Sequence, residues 1–324
     1  MTSPHAPLST GRPALLWAAL VCVYVVWGST YLAIRIVVDS DIPPLLGMGL
    51  RFAAAGALLF GFLLARRGPV GLRITARELR GTAVMAVLLL VLGNGVVAIS
   101  EQTVPSGLTA LIIGAVPLWF VLLRVGGGER PRGLTWLGVL VGFAGIAAIS
   151  LPRGGIDGVQ TWGVLLLLGA TVSWAVGSYL SPRLGLPRNG LVAATYEMLT
   201  AGAIMLVVSL ISGEGGGLDV AEVPTEGWVA LAYLVLMGSL LGYTAYGYAL
   251  SHAPLSLVGT YAYVNPVVAV ALGWLVLEEP VTGIVLAGGA LVIAGVALVV
   301  GGERKPAQTA TATELEPEPE AQVV

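Results

Sequence analysis

The chain has 324 residues, 56% of them hydrophobic and 10% charged, with a formal net charge of −2 and a mean hydropathy of +0.90. A water-soluble domain carries roughly a quarter of its residues as charges, so a soluble globular fold is excluded. The single cysteine, Cys22, sits in an apolar run, and only His5 and His252 carry imidazoles, which excludes a disulfide framework and most zinc sites.

Apolar stretches of about 20 residues, long enough to cross a bilayer core, are expected at 15–37, 44–64, 81–100, 106–123 and 134–151. A second group follows at 163–179, 190–211, 228–250, 258–277 and 281–300. The first is no signal peptide, because it runs on to Arg35 and lacks a small-residue cleavage pattern. Forty-five glycines suit closely packed membrane helices. Residues 1–13 form an N-terminal segment, 14–151 and 161–301 the two apolar halves, and 302–324 a polar tail. In that tail Glu314, Glu316, Glu318 and Glu320 alternate with Pro317 and Pro319, a composition expected to be disordered.

Basic residues set the expected orientation. Arg12, Arg66, Arg67, Arg73, Arg77, Arg80, Arg124, Arg130, Arg132, Arg183, Arg188, Arg304 and Lys305 all fall on one side, together with both termini. Loops of the other side hold Arg153 alone, while Arg35 and Arg51 lie within apolar stretches. Both termini are therefore expected in the cytoplasm, and the number of spans is even.

The two halves repeat each other. An offset of 149 pairs Pro105 with Pro254, Leu108 with Leu257, Pro117 with Pro266, Glu129 with Glu278 and Pro131 with Pro280. One inserted residue later, Gly138 meets Gly288 and Gly145 meets Gly295; earlier, Trp27 falls near Trp174 and Ala55-Gly56-Ala57 on Ala201-Gly202-Ala203. Five spans per copy is an odd number, so the second copy enters the membrane from the opposite side. The charges agree: the loop around Glu129 carries Arg124, Arg130 and Arg132, whereas its counterpart at Glu278-Glu279-Pro280 has no base. The expected fold is an all-α polytopic membrane protein of ten transmembrane helices, in two inverted five-helix repeats around a central cavity.

Three segments resemble the EamA-type transporter family of the drug/metabolite transporter superfamily, in its YedA-like branch: Val25-Val26-Trp27-Gly28-Ser29-Thr30-Tyr31, the Glu101-Gln102 and Pro105-Ser106-Gly107 run, and Tyr261-Ala262-Tyr263-Val264-Asn265-Pro266. The resemblance spans residues 14–301. It implies a bacterial inner-membrane carrier that exports metabolites such as amino acids, or toxic compounds, without ATP hydrolysis. Glu278-Glu279-Pro280 stands where the family usually has Gly-Glu-Pro.

Several residues are candidates to carry transport. Arg51 and Glu197 occupy equivalent depths in the second and seventh spans. An ionisable group there costs about 2.5–3.5 kcal/mol on insertion scales, so each should face the bundle interior or water. One reading makes Arg51 an attractor for anionic substrate groups such as carboxylates and Glu197 a proton or amine site; the other makes them a buried charge pair, or snorkelling side chains, that fix helix packing. Pro117 and Pro266 remove backbone donors in mid-membrane and stand equally as hinges or plain kinks. Asn265 beside Pro266 favours the cavity. Trp27, Trp119, Trp174, Tyr196, Tyr243 and Tyr261 offer flat apolar walls with polar tips, although core packing is the ordinary use of each. Ser29, Thr30 and Asn94 are candidate cavity polars. Glu101 and Gln102 are expected in solvent at the outer mouth, and Gly138, Gly142 and Gly288 at close helix contacts, between repeats or protomers.

The expected function is secondary export of a small molecule by alternating access, with a proton as the candidate driving ion. An uncoupled facilitator or channel is the competing reading. No nucleophile or metalloprotease motif points to an enzyme. The expected partners are the small-molecule substrate and the lipid bilayer, not nucleic acid, with the chain a monomer or homodimer. No metal or cofactor is expected.

Overall fold

The computed structural model describes residues 13–150, 159–253, 255–258 and 260–303. The acidic tail, the N-terminal segment and Arg153 lie outside the described residues. Among these residues the chain is helical, with ten apolar helices: α1 (Ala14–Asp39), α2 (Pro44–Arg67), α3 (Ala76–Ser100), α4 (Ser106–Gly126), α5 (Gly133–Ile149), α6 (Thr161–Arg183), α7 (Gly190–Ser212), α8 (Thr225–Ala249), α9 (Tyr261–Leu277) and α10 (Gly283–Gly302). The protein is a polytopic membrane protein. Leu140, Leu165, Val207, Val229 and Leu286 stand exposed on the outside of the bundle, where only lipid makes such surface tolerable.

Local chemistry ends the helices where the sequence turns. Asn189 accepts from the amides of Leu191 and Val192 at the start of α7, and Gly213 at φ 75 ends it. Thr75 and Glu78 form a reciprocal capping box at the start of α3. α9 is short, and a separate helical turn at Leu255–Val258 precedes it. His252 closes a helix, and its ring stacks on Tyr248 at 4.0 Å.

Packing is dominated by contacts between the two repeats, in reciprocal sets. α2 lies along α7 and α5 along α10; α1 packs on α8 and α9, as α6 packs on α3 and α4. Glycines set the closest approaches. A Cβ on Gly202 would come within 2.8 Å of the Ala53 Cα, and one on Gly56 within 2.9 Å of the Leu199 nitrogen. On the other seam a Cβ on Gly138 would meet the Gly295 carbonyl at 2.6 Å, and one on Gly145 the Gly288 carbonyl at 2.7 Å. The Gly138, Gly145 and Gly288 contacts therefore join the repeats within one chain. Backbones this close gain dispersion contacts that bulkier residues would forbid.

The structure revises two pairings of the repeat, Glu129 with Glu278 and Pro131 with Pro280. Gly128 at φ 91 and Glu278 at φ 53 both close their helices in the left-handed conformation, which sets Glu129 opposite Glu279 rather than Glu278. The inserted residue thus falls before this turn. Both copies also underwind alike: α3 carries a π-helical stretch at Ala86–Gly95 and α8 one at Leu234–Leu241.

Most described arginines gather at one end of the bundle, where the 67–76, 126–133 and 183–190 connections lie. The opposite, arginine-poor end, built from the 39–44, 100–106, 212–225 and 277–283 connections, is rich in carboxylates.

Candidate functional site

A cavity runs into the bundle between α1, α2, α3, α4, α6, α8 and α9, with about 810 Å³ free of atoms when its open mouth is included. Trp27 on α1 forms its centre. Its ring lies 5.6 Å from Tyr243, 5.6 Å from Tyr261, 4.9 Å from Tyr246 and 6.5 Å from Trp174, mostly edge to face. Such geometry satisfies the ring quadrupoles and leaves faces free for an apolar or cationic group. The Trp27 indole N–H donates to the Gly238 carbonyl at 3.3 Å, an acceptor in the π-helical stretch of α8.

The π-helical stretches make room for these rings. A Cβ on Gly93 would lie 3.0 Å from Trp174, and one on Gly242 would lie 2.9 Å from Trp27 Cδ1. Each repeat thus seats the other repeat's tryptophan against a glycine near the widened turn. π-helical turns recur at functional sites because they displace side chains from regular register.

Arg51 supplies the cavity's cation. It is 2% exposed, its Nε donates to Ser239 Oγ at 3.0 Å, and its guanidinium carbon lies 4.7 Å from the Phe52 ring centre. No carboxylate pairs with it: the salt bridges among the described residues are Arg35–Asp39 and Arg124–Glu129. The expected alternative of an Arg51–Glu197 pair is therefore not what the structure contains. A buried, unpaired guanidinium is strongly unfavourable, and an anionic group entering the cavity would relieve it.

Of the other expected residues, Thr30, Asn94, Trp174, Tyr243, Tyr261, Asn265 and Pro266 also line the cavity. The Thr30 hydroxyl donates to the Trp27 carbonyl at 2.7 Å, and the Asn94 amide to the Leu89 carbonyl at 3.3 Å. With its amide turned to satisfy its neighbours, Asn265 donates to the Tyr24 and Tyr261 carbonyls at 3.1 Å each. Asn265 thus ties α9 to α1 as well as facing the cavity. Pro266 lies inside α9, and the Ala262 carbonyl it deprives of a donor faces Gly114. α4 breaks at Gly114–Ala115 and resumes with Pro117 in its first turn, so Pro117 restarts a helix while Pro266 lies within one.

Other candidates stand away from the cavity wall. Ser29 Oγ donates to the Val26 carbonyl at 2.8 Å and shares a 2.6 Å hydrogen bond with the Tyr233 hydroxyl. Trp119 donates to Thr171 Oγ1 at 2.9 Å and packs edge-on against Phe143. The Tyr196 hydroxyl donates to the Leu72 carbonyl at 2.8 Å, near the arginine-rich end. Glu197 lies on α7, which contributes nothing to the wall, within electrostatic reach of Tyr243.

Sequence reasoning missed Tyr31, Ile34, Gly93 and Gly114 as lining residues, and Ser239 as the partner of Arg51. Nothing local distinguishes them from ordinary core residues. Glu101, expected in solvent, is fully buried. Ser100 and Val104 bracket it in a tight turn, where the Val104 amide donates to the Ser100 carbonyl at 3.0 Å.

Comparison with known proteins agrees with this architecture. The EamA-like transporter family matches residues 12–151 and again 161–301. The chain is 40% identical over 300 residues to the uncharacterized inner membrane transporter YedA of Escherichia coli strain K12, covering 92% of this chain and 94% of that one. It is 31% identical over 307 residues to a probable terminal-alkyne amino-acid exporter of Streptantibioticus cattleyicolor, covering 91% and 97%. A solved crystal structure with 20% sequence identity superposes with a TM-score of 0.60 over 89% of this chain and 96% of that chain, a likeness of fold.

Proposed function

The chain belongs to the EamA-like transporter family, and from that premise we propose that this membrane transporter exports small carboxylate-bearing molecules, amino acids with apolar or aromatic side chains foremost, by alternating access. Arg51 carries the reading. A guanidinium on the cavity wall, buried and without an acidic partner, offers its remaining N–H groups to a carboxylate. The Trp27, Trp174, Tyr243 and Tyr261 rings would take the apolar side chain, and their faces an α-ammonium group. The name of the Streptantibioticus relative, an amino-acid exporter, supports the same substrate class.

In the proposed orientation the arginine-rich end faces the cytoplasm. A proton is the proposed driving ion, with Glu197 as its carrier. The test uses proteoliposomes loaded with labelled amino acids under an imposed pH gradient. Gradient-driven efflux that falls in Glu197→Gln supports coupling, and strictly downhill flux in the wild type would instead establish a facilitator. Arg51→Gln losing amino acids while keeping the matching decarboxylated amines supports the carboxylate contact. Equal loss of both ligands would sink it.

A further inference from the structure

At the arginine-poor end the second repeat closes over the helix starts of the first. Glu279 places Oε1 2.7 Å from the Ser106 amide and Oε2 3.0 Å from the Gly107 amide, and Oε2 also accepts from Ser106 Oγ at 3.1 Å. These amides are the unsatisfied donors at the start of α4, so an ionised carboxylate is well placed there. Glu214 repeats the device at α2, accepting from the Leu45 and Leu46 amides at 3.2 and 3.3 Å. The equivalent of Glu279 in the first repeat, Glu129, does not cross: it pairs with Arg124 of its own repeat at 2.8 Å. The contrast identifies this conformation as one latched at the arginine-poor end.

Beside that latch lies Glu101, with 0% of its surface exposed and neither carboxyl oxygen in a hydrogen bond. Arg35 on α1 does not rescue it, because its guanidinium engages the Glu101 backbone carbonyl and, at 2.8 Å, the Asp39 carboxylate. The groups in electrostatic reach are Tyr31, Arg35 and Asp39 of α1 and the Glu279 carboxylate. On α4 the Thr109 hydroxyl, less than one turn from the Ser106 and Gly107 amides that Glu279 caps, is buried and without a partner; α6 packs Gly163 against Thr103 and Val104, and its one charged residue, Arg183, lies at the far end. Ionised, Glu101 would be a fully buried carboxylate facing the half-buried Glu279 carboxylate, with one arginine already shared. Burial first, and then Glu279, push its carboxyl well above the usual range.

We propose that Glu101 is a proton-binding site of the outer gate: the arginine-poor end closes with Glu101 protonated and Glu279 on the α4 amides, and opening releases that proton to the outer medium. The site is distinct from Glu197, and it rests on the alternating-access reading, since a gate is meaningful only if that end opens. In the open state Glu101 meets water and ionises as an ordinary glutamate does. Closed binds one proton more than open, so closure is favoured at low pH and lost as pH rises toward the closed-state value.

The test reads access to the mouth directly. In a Cys22→Ser background, Thr109→Cys places a thiol where the closed gate buries it, and Gln102→Cys provides an exposed control for the thiol's own ionisation. Proteoliposomes are treated with a membrane-impermeant thiol reagent across a pH series. The expected result is a normalised Thr109→Cys rate that climbs with pH, by at most about tenfold per unit for one proton. Adding Glu101→Gln should leave the rate slow and independent of pH; adding Glu279→Gln should raise it at low pH. A pH-independent wild-type rate, which needs no gate variant to fold, would overturn the proposal, as would a wild-type slope surviving in Glu101→Gln. Amino-acid efflux from the same vesicles separates the two readings: flux with pH-independent access removes the proton site alone, and pH-dependent access without flux removes the export reading alone.

Discussion

Arg51 and Ser239 join the two repeats across the cavity wall: the guanidinium Nε donates to the serine Oγ at 3.0 Å, and no acid stands opposite it among the described residues. The hydroxyl orients the side chain but cannot neutralise it. Arg51→Gln should therefore weaken binding of carboxylate ligands by 10- to 100-fold, about 1.5–3 kcal/mol for hydrogen bonds to a charged group. The same variant should melt no lower than the wild type without ligand, because it removes an unpaired buried charge. Calorimetric titration and a thermal melt check the two halves.

Trp27 and Trp119 separate cavity from scaffold. Trp27→Ala should abolish most ligand binding, since four aromatic rings lean on it. Trp119→Phe keeps the packing on Phe143 but loses the hydrogen bond to Thr171. It should lower the melting temperature, at a cost of about 1 kcal/mol, and leave ligand affinity unchanged. Ligand affinity measured on both variants decides it.

The α5–α10 seam predicts a graded glycine series. Gly295→Val has no room, because its Cβ would fall 2.5 Å from the Gly142 Cα, and should destabilise by at least about 1–3 kcal/mol. Gly61 in α2 opens on empty space, so Gly61→Ala should be neutral or stabilising by up to about 1 kcal/mol. Thermal unfolding in detergent distinguishes them.

Glu278 holds the left-handed position that Gly128 holds in the first repeat. An L-residue there carries about 1 kcal/mol of strain that glycine does not. Glu278→Gly should raise the melting temperature without changing transport.

The α3 capping box carries a pH signature. Hydrogen bonds from the Thr75 amide and hydroxyl hold the Glu78 carboxyl below the usual glutamate range. Its contribution is therefore present above the unfolded pKa and lost as pH falls through the folded one. Hydrogen exchange of the first amides of α3 should accelerate on acidification in the wild type, and Glu78→Gln should show little such change.

The equivalence of Glu129 with Glu279 shows where the repeat was legible and where it slipped. The prolines, glycines and tryptophans aligned in order, but nothing in the residue types marked the inserted position. Only the left-handed turns at Gly128 and Glu278 did. Glu101 is illegible for a related reason: a polar residue between two apolar spans reads as solvent-exposed, whereas it is fully buried where Arg35 of α1 binds its carbonyl and the distant Glu279 comes within electrostatic reach.

By itself the sequence determined the ten apolar spans, the two copies and their opposed entry. Each follows from a local demand: a bilayer of fixed thickness requires about 20 apolar residues per crossing, and an odd number of crossings inverts the next copy. The tertiary structure alone decided that helices pack chiefly on the other repeat, that Arg51 meets Ser239 instead of Glu197, and that Glu279 closes on Ser106. Those outcomes depend on which glycines let two backbones approach and which helix starts lack partners for their amides. Both are properties of surfaces meeting across more than a hundred residues of chain, and no local pattern of residue types encodes them.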